Sequence, residues 1–140
     1  MRIARSKQFP SGSLVAVLLA ACLVTPVLAA NDKVSATYES LGANGVAGHA
    51  DLNPMPQGGT FVSTALRGLA PGVEYAAVIY QQSGSCAAGG PSTEILRFTA
   101  NKAGNANFAQ KVTLDLSNIH SIGILRTNDN TAQACASVSP

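Results

Sequence analysis

The sequence predicts an all-β fold, a Greek-key sandwich or barrel of seven or eight antiparallel strands. Three observations predict it. From Asn31 onward apolar and polar residues alternate with period two, no stretch keeps the stripe of an amphipathic helix, and glycine, asparagine and proline punctuate the chain at short intervals. Seven or eight short strands separated by turn signals are the pattern of a two-layer β domain.

Each element has its own justification. Val34, Ala36 and Tyr38 alternate with Ser35, Thr37 and Glu39 to give a first strand. Asn44-Gly45 supplies the positive backbone dihedrals of a tight hairpin turn, and residues 46–52 return as a second strand. After the loop NPMPQGG, residues 60–66 form a third, followed by a turn over residues 68–72 in which Pro71 fixes its own backbone angle. Residues 73–82 are the longest candidate, and apolar residues on both faces suit a central strand. Residues 94–100, 108–116 and 121–126 supply three more, the middle one placing Phe108, Gln110, Val112, Leu114 and Leu116 on one side; residues 133–138 add an eighth. No internal repeat, charge run or second domain is visible, so residues 31–140 read as a single domain.

Residues 1–30 read as an export signal. Arg2, Arg5 and Lys7 form a positive n-region, residues 14–28 are largely apolar, and Ala29 and Ala30 provide small residues for cleavage. The apolar stretch is short for a spanning helix, which needs about 20 residues. A second reading takes Leu19-Ala20-Ala21-Cys22 as a lipobox with Cys22 lipidated, although the residues after Cys22 are apolar where a polar tether is usual. Either reading places the domain outside the cytoplasm, in a periplasm or beyond the cell, with a lipid anchor in the second case.

Charge and cysteine usage narrow the function classes. The whole chain carries nine Lys and Arg against seven Asp and Glu. Without Arg2, Arg5 and Lys7 the domain keeps six basic residues, scattered singly, and no tryptophan. With no basic patch interleaved with aromatics, nucleic acid is not an expected partner. Once Cys22 leaves with the signal, Cys86 and Cys135 remain, and an oxidising compartment would pair them. A reactive thiol pair would lack the close C-x-x-C spacing, and a metal site would need a histidine at ligand spacing from either cysteine, which neither His49 nor His120 offers.

Two families share parts of this chain. LRGLAPGVEYAAVIYQ (residues 66–81) resembles the turn and penultimate strand of a fibronectin type III domain; on that reading the domain ends near ILRFTA, the cysteines need not meet, and the last 40 residues form an appended segment. A larger resemblance, over most of residues 34–138, is to copper/zinc superoxide dismutase. Gly68-Leu69 and Gly72 match that family's turn, Cys86 followed by Gly90-Pro91 its first cysteine segment, TANKAGNA (residues 99–106) a later turn, and Ala134-Cys135 its terminal motif. The resemblance implies the family's Greek-key fold and its Cys86–Cys135 bridge. It also implies an empty site. Ala77 and Ile79 stand where the His-x-His copper pair belongs, Ser92 where the bridging histidine follows Gly-Pro, and Leu125, Arg126 and Thr127 where the last copper histidine is expected. The zinc loop shrinks to a few residues after Pro91, and Ala132 replaces the guiding arginine. Redox copper needs several imidazoles in fixed geometry, so no dismutase activity and no cofactor are expected.

Other chemistry is sparse. His49, on the polar side of its strand with Ala47 and Asp51, could hold a metal with Asp51 or be an exposed strand histidine; His120 could polarise Ser117 or Ser121, without a nucleophile motif around either. Paired carboxylates would have to come from Asp51, Glu74, Glu94 and Asp115. Tyr75 and Tyr80 point to opposite faces of one strand, one into the core and the other partly exposed. The loops at residues 53–59 and 81–85 are the polar stretches where a binding surface could lie. The expectation is an exported, non-catalytic binding or structural module of the envelope, with a protein or small-molecule partner. The alternatives are a divergent metal-binding relative using His49 or His120, and a fibronectin-like adhesion or spacer module.

Overall fold

A computed structural model describes residues 32–84, 86 and 90–139; the expected signal, Cys22 included, lies outside the described residues. Eight strands follow one another: β1 (Val34–Ser40), β2 (Ala47–Pro54), β3 (Thr60–Arg67), β4 (Glu74–Tyr80), β5 (Ser92–Thr99), β6 (Ala106–Val112), β7 (Ser121–Arg126) and β8 (Ala132–Ser137), with one 3-10 turn at Leu116–Asn118. All pairings are antiparallel, in the order β5-β4-β7-β8-β1-β2-β3-β6. Two connections, β3 to β4 and β6 to β7, cross between strands that are not neighbours. The end strands β5 and β6 are joined by a turn in which the Asn101 amide donates to the Asn105 carbonyl. Across that seam the Phe98 and Phe108 rings lie 5.1 Å apart, so the sheet curls into a nearly closed barrel.

Alternation dictates the interior. Ala36 and Tyr38 of β1, Ala50 and Leu52 of β2, Val62 and Leu66 of β3, and Ile122 and Ile124 of β7 all point into one core, as successive strand residues face opposite sides. Strand β4 is buried on both faces: Tyr75, Ala77 and Ile79 enter the main core, and Ala76, Val78 and Tyr80 form a second cluster outside it with Cys86 and Leu125. Gly123 makes that outer cluster fit. A Cβ there would come within 2.8 Å of the Tyr80 ring and 3.4 Å of the Cys86 sulfur. Residues 106–137 therefore supply three strands of the same sheet, rather than the appendage that the fibronectin reading requires.

Four expectations are corrected. The β1–β2 connection is longer than a two-residue hairpin; Gly45 has a positive φ of 67° but Asn44 does not. The sixth strand stops at Val112, because its partner β3 begins at Thr60, opposite Val112. Beyond that point the Thr60 hydroxyl donates to the Leu114 carbonyl at 2.8 Å, and Leu114 and Leu116 continue to pack on the core without a ladder. β4 has seven residues and is shorter than β2, β3 and β5. One of Tyr75 and Tyr80 is expected to be partly exposed, but both are buried; Tyr80, on the outer face, is 9% exposed because Cys86 packs against it.

Candidate functional site

The two positions that the dismutase resemblance assigns to the His-x-His copper pair lie inside the barrel. Ala77 and Ile79 are each 0% exposed, opposite Ile124 and Ile122 of β7. Ser92 opens β5 on the surface, Leu125 and Arg126 end β7, and the Thr127 hydroxyl donates to the Glu74 carbonyl. Ala132 begins β8 opposite Leu125. Among the described residues no group of three or more His, Cys, Asp or Glu side chains could hold a metal ion.

Both histidines and the scattered acids have local positions. His49 is exposed on β2, opposite Thr37 and Ala65. His120 precedes β7, its amide donating to the Tyr80 carbonyl and its carbonyl accepting from Val138, with β8 and β1 between β7 and β2 in the sheet. Ser121 is buried, and its hydroxyl accepts from the Cys86 amide at 3.0 Å and donates to the Gly84 carbonyl. Asp51 accepts from the Ser35 hydroxyl at 2.6 Å and pairs with Lys33 at 3.0 Å, which together hold its carboxyl below the ordinary range. Glu74 and Glu94 both face Arg97, and Asp115 accepts the Gly59 amide at 2.7 Å. All four carboxylates have structural partners, and only Glu74 and Glu94 come together, around Arg97.

Cys86 and Cys135 form a disulfide with Cα atoms 5.8 Å apart. Cys135 faces outward from β8, beside Gly123 of β7. The bridge and Ser121 thus fasten the segment after β4 to the outside of the β4–β7–β8 wall.

The opposite wall is open. A cavity of about 560 Å³ lies on the outer face of β1, β2, β3 and β6. The register explains it: Thr37, His49, Ala65 and Asn107 form one outward cross-strand row, and Ala47 and Arg67 face each other in the next. Neighbouring rows on one face put diagonal side chains about 7–8 Å apart. Two alanines at the centre, Ala47 and Ala65, leave a depression, and the longer polar side chains of His49, Arg67, Asn105 and Asn107 form its rim. Asn105 is placed by the β5–β6 turn, where the Asn101 side-chain oxygen accepts the amides of Ala103 and Asn105. A smaller cavity of about 380 Å³ is lined by Met55, Pro56, Gln57, Gly58 and Lys111, within one of the two polar loops singled out above.

The groove was not foreseen from the sequence. Its residues are spread over seventy positions and meet only because β3 pairs with β6 across two intervening strands. The usable signal was the pairing of small residues with polar ones at outward positions, which has meaning only once the register is known. No protein-family model matches the chain, and no curated protein is significantly similar to it.

Proposed function

We propose that the protein is an exported, disulfide-closed binding module on a copper/zinc superoxide dismutase-like Greek-key scaffold, without dismutase chemistry. The two crossovers, the Cys86–Cys135 bridge and the Gly68–Gly72 turn at the β3–β4 crossing support the scaffold reading. The observation that carries the non-catalytic reading is the burial of Ala77 and Ile79: a redox metal needs imidazoles directed into a space that substrate can reach, and these two positions face packed isoleucines. A disulfide is compatible with an oxidising compartment, which accords with export into a periplasm or beyond the cell.

Elemental analysis of the oxidised protein, with copper and zinc titrations by calorimetry, tests this. The expected result is no stoichiometric metal. Tight, stoichiometric binding that disappears in His49→Ala or His120→Ala would replace the proposal with the divergent metalloprotein.

A further inference from the structure

We infer that the groove on the outer face of β1, β2, β3 and β6 binds a hydroxylated carboxylate, such as a sugar acid or a small hydroxy acid. Arg67 supplies the cation. Its side chain is exposed at the end of β3 and, among the described residues, forms no ion pair and no hydrogen bond with a protein partner. By contrast, Arg97 and Arg126 are each paired with nearby carboxylates. A guanidinium presents a planar fork that matches a carboxylate with two parallel hydrogen bonds.

The rest of the rim sets the ligand's other half. Asn105, Asn107 and Thr37 offer amide and hydroxyl groups that can both donate and accept, the complement of ligand hydroxyls. His49 adds an imidazole across Ala65 from Asn107. No carboxylate lines the cavity. Of the acids on the same outward face, Asp51 is engaged by Lys33 and Ser35, and Glu39 of β1 forms no ion pair with Arg67. One uncompensated guanidinium suits a single carboxylate better than a phosphate dianion. The volume admits one small molecule, and the alanine floor offers a short apolar contact for its carbon skeleton.

The inference rests on the binding-module reading, but the two fail separately. Stoichiometric metal would overturn that reading. The groove is tested by amide chemical-shift titrations of the oxidised, metal-free protein with glucuronate, malate and glucose. Saturable shifts confined to the strands around Thr37, His49, Arg67 and Asn107, produced by glucuronate or malate but not by glucose, are expected. The tighter of the two acids tells a sugar acid from a linear one. Arg67→Ala should weaken binding about tenfold, the loss of one charge-assisted contact, and Arg67→Lys by less. Arg97→Ala, on β5 outside the groove and paired with Glu74 and Glu94, should leave the affinity unchanged. Glucose binding as well as glucuronate, an unchanged affinity in Arg67→Ala, or no saturable shift up to about 50 mM of either acid would overturn the inference.

Discussion

Breaking the Cys86–Cys135 bridge should remove a large part of the protein's stability. The two cysteines are 49 residues apart in sequence, and closing a loop of that size in the unfolded chain costs about 4 kcal/mol of conformational entropy that the cross-link removes. Domains of this kind are stable by only about 5–15 kcal/mol, so reduction takes about a quarter or more of the total. With a urea dependence of about 1.5 kcal/mol per molar, the unfolding midpoint should fall by about 2.7 M. The chain has no tryptophan, and Tyr38, Tyr75 and Tyr80 are all buried, which makes tyrosine emission the natural probe of global unfolding. Urea curves of the oxidised protein, the reduced protein and the Cys86→Ala/Cys135→Ala double variant should give one high midpoint and two coincident low ones with similar slopes. A shift below about 0.5 M would refute the entropic reasoning. It would mean that the unfolded chain already holds these segments together, or that the bridge strains the fold by as much as it restrains the coil.

Three further outcomes follow from the same packing. Tyr75→Phe removes the hydroxyl that accepts the Ala70 amide at 2.9 Å and should cost about 1–2 kcal/mol in urea unfolding, with amide exchange rising first in the turn before β4. Burial holds the Tyr38 hydroxyl well above the ordinary tyrosine range, while its 3.5 Å contact with Thr64 opposes this weakly. Its contribution is therefore fully present below the unfolded tyrosine value of about 10 and is lost progressively above it. Tyr38→Phe should retain midpoint stability between about pH 10 and 12 that the parent loses, as followed by circular dichroism. Placing histidines at Ala77 and Ile79 should destabilise the fold by more than about 3 kcal/mol without creating copper binding, because both side chains would enter a filled apolar interior; calorimetry and urea unfolding together check this.

Most of the barrel was legible as alternation. β3, β7 and β8 lie within a residue or so of the predicted bounds, because buried and less buried positions alternate along β3 and apolar residues fill most of the inward positions of β7 and β8. The errors have a common cause: periodicity reports which side a residue faces, and not whether a neighbouring strand is there to pair with it. Leu114 and Leu116 keep facing the core after β6 has lost its partner, so the pattern outlasts the strand. Asn44-Gly45 has the composition of a two-residue turn, yet the chain from Leu41 to Val46 is occupied otherwise: the Leu41 amide donates to the Gln133 carbonyl, and the Asn44 side chain donates to the Gln133 side chain at 2.7 Å. Contacts to a residue nearly ninety positions away are invisible to any local reading. The burial of both Tyr75 and Tyr80 escapes a local reading in the same manner, since the cover over Tyr80 comes from Cys86, seated beside Gly123.

The two walls of the barrel differ in a way that favours the proposed binding surface on one of them. On the β4–β7–β8 wall Ala76, Val78, Tyr80 and Leu125 form an outward apolar cluster, and Cys86 packs on it, held by Cys135 and by the Ser121 hydroxyl. A ligand there would have to displace a covalently fastened cover and expose Val78 and Tyr80 to water, an unfavourable exchange of apolar burial for binding. On the β1–β2–β3–β6 wall nothing covers the sheet among the described residues, and the central outward side chains are alanines that remove little surface from water when they are touched. The polar rim keeps such a face soluble, while the rigid ladder beneath fixes the spacing of Arg67, His49 and Asn107 without a loop having to order on binding. The disulfide and the groove therefore divide the labour of the fold: one wall is closed to hold the barrel together, which leaves the other free to be open.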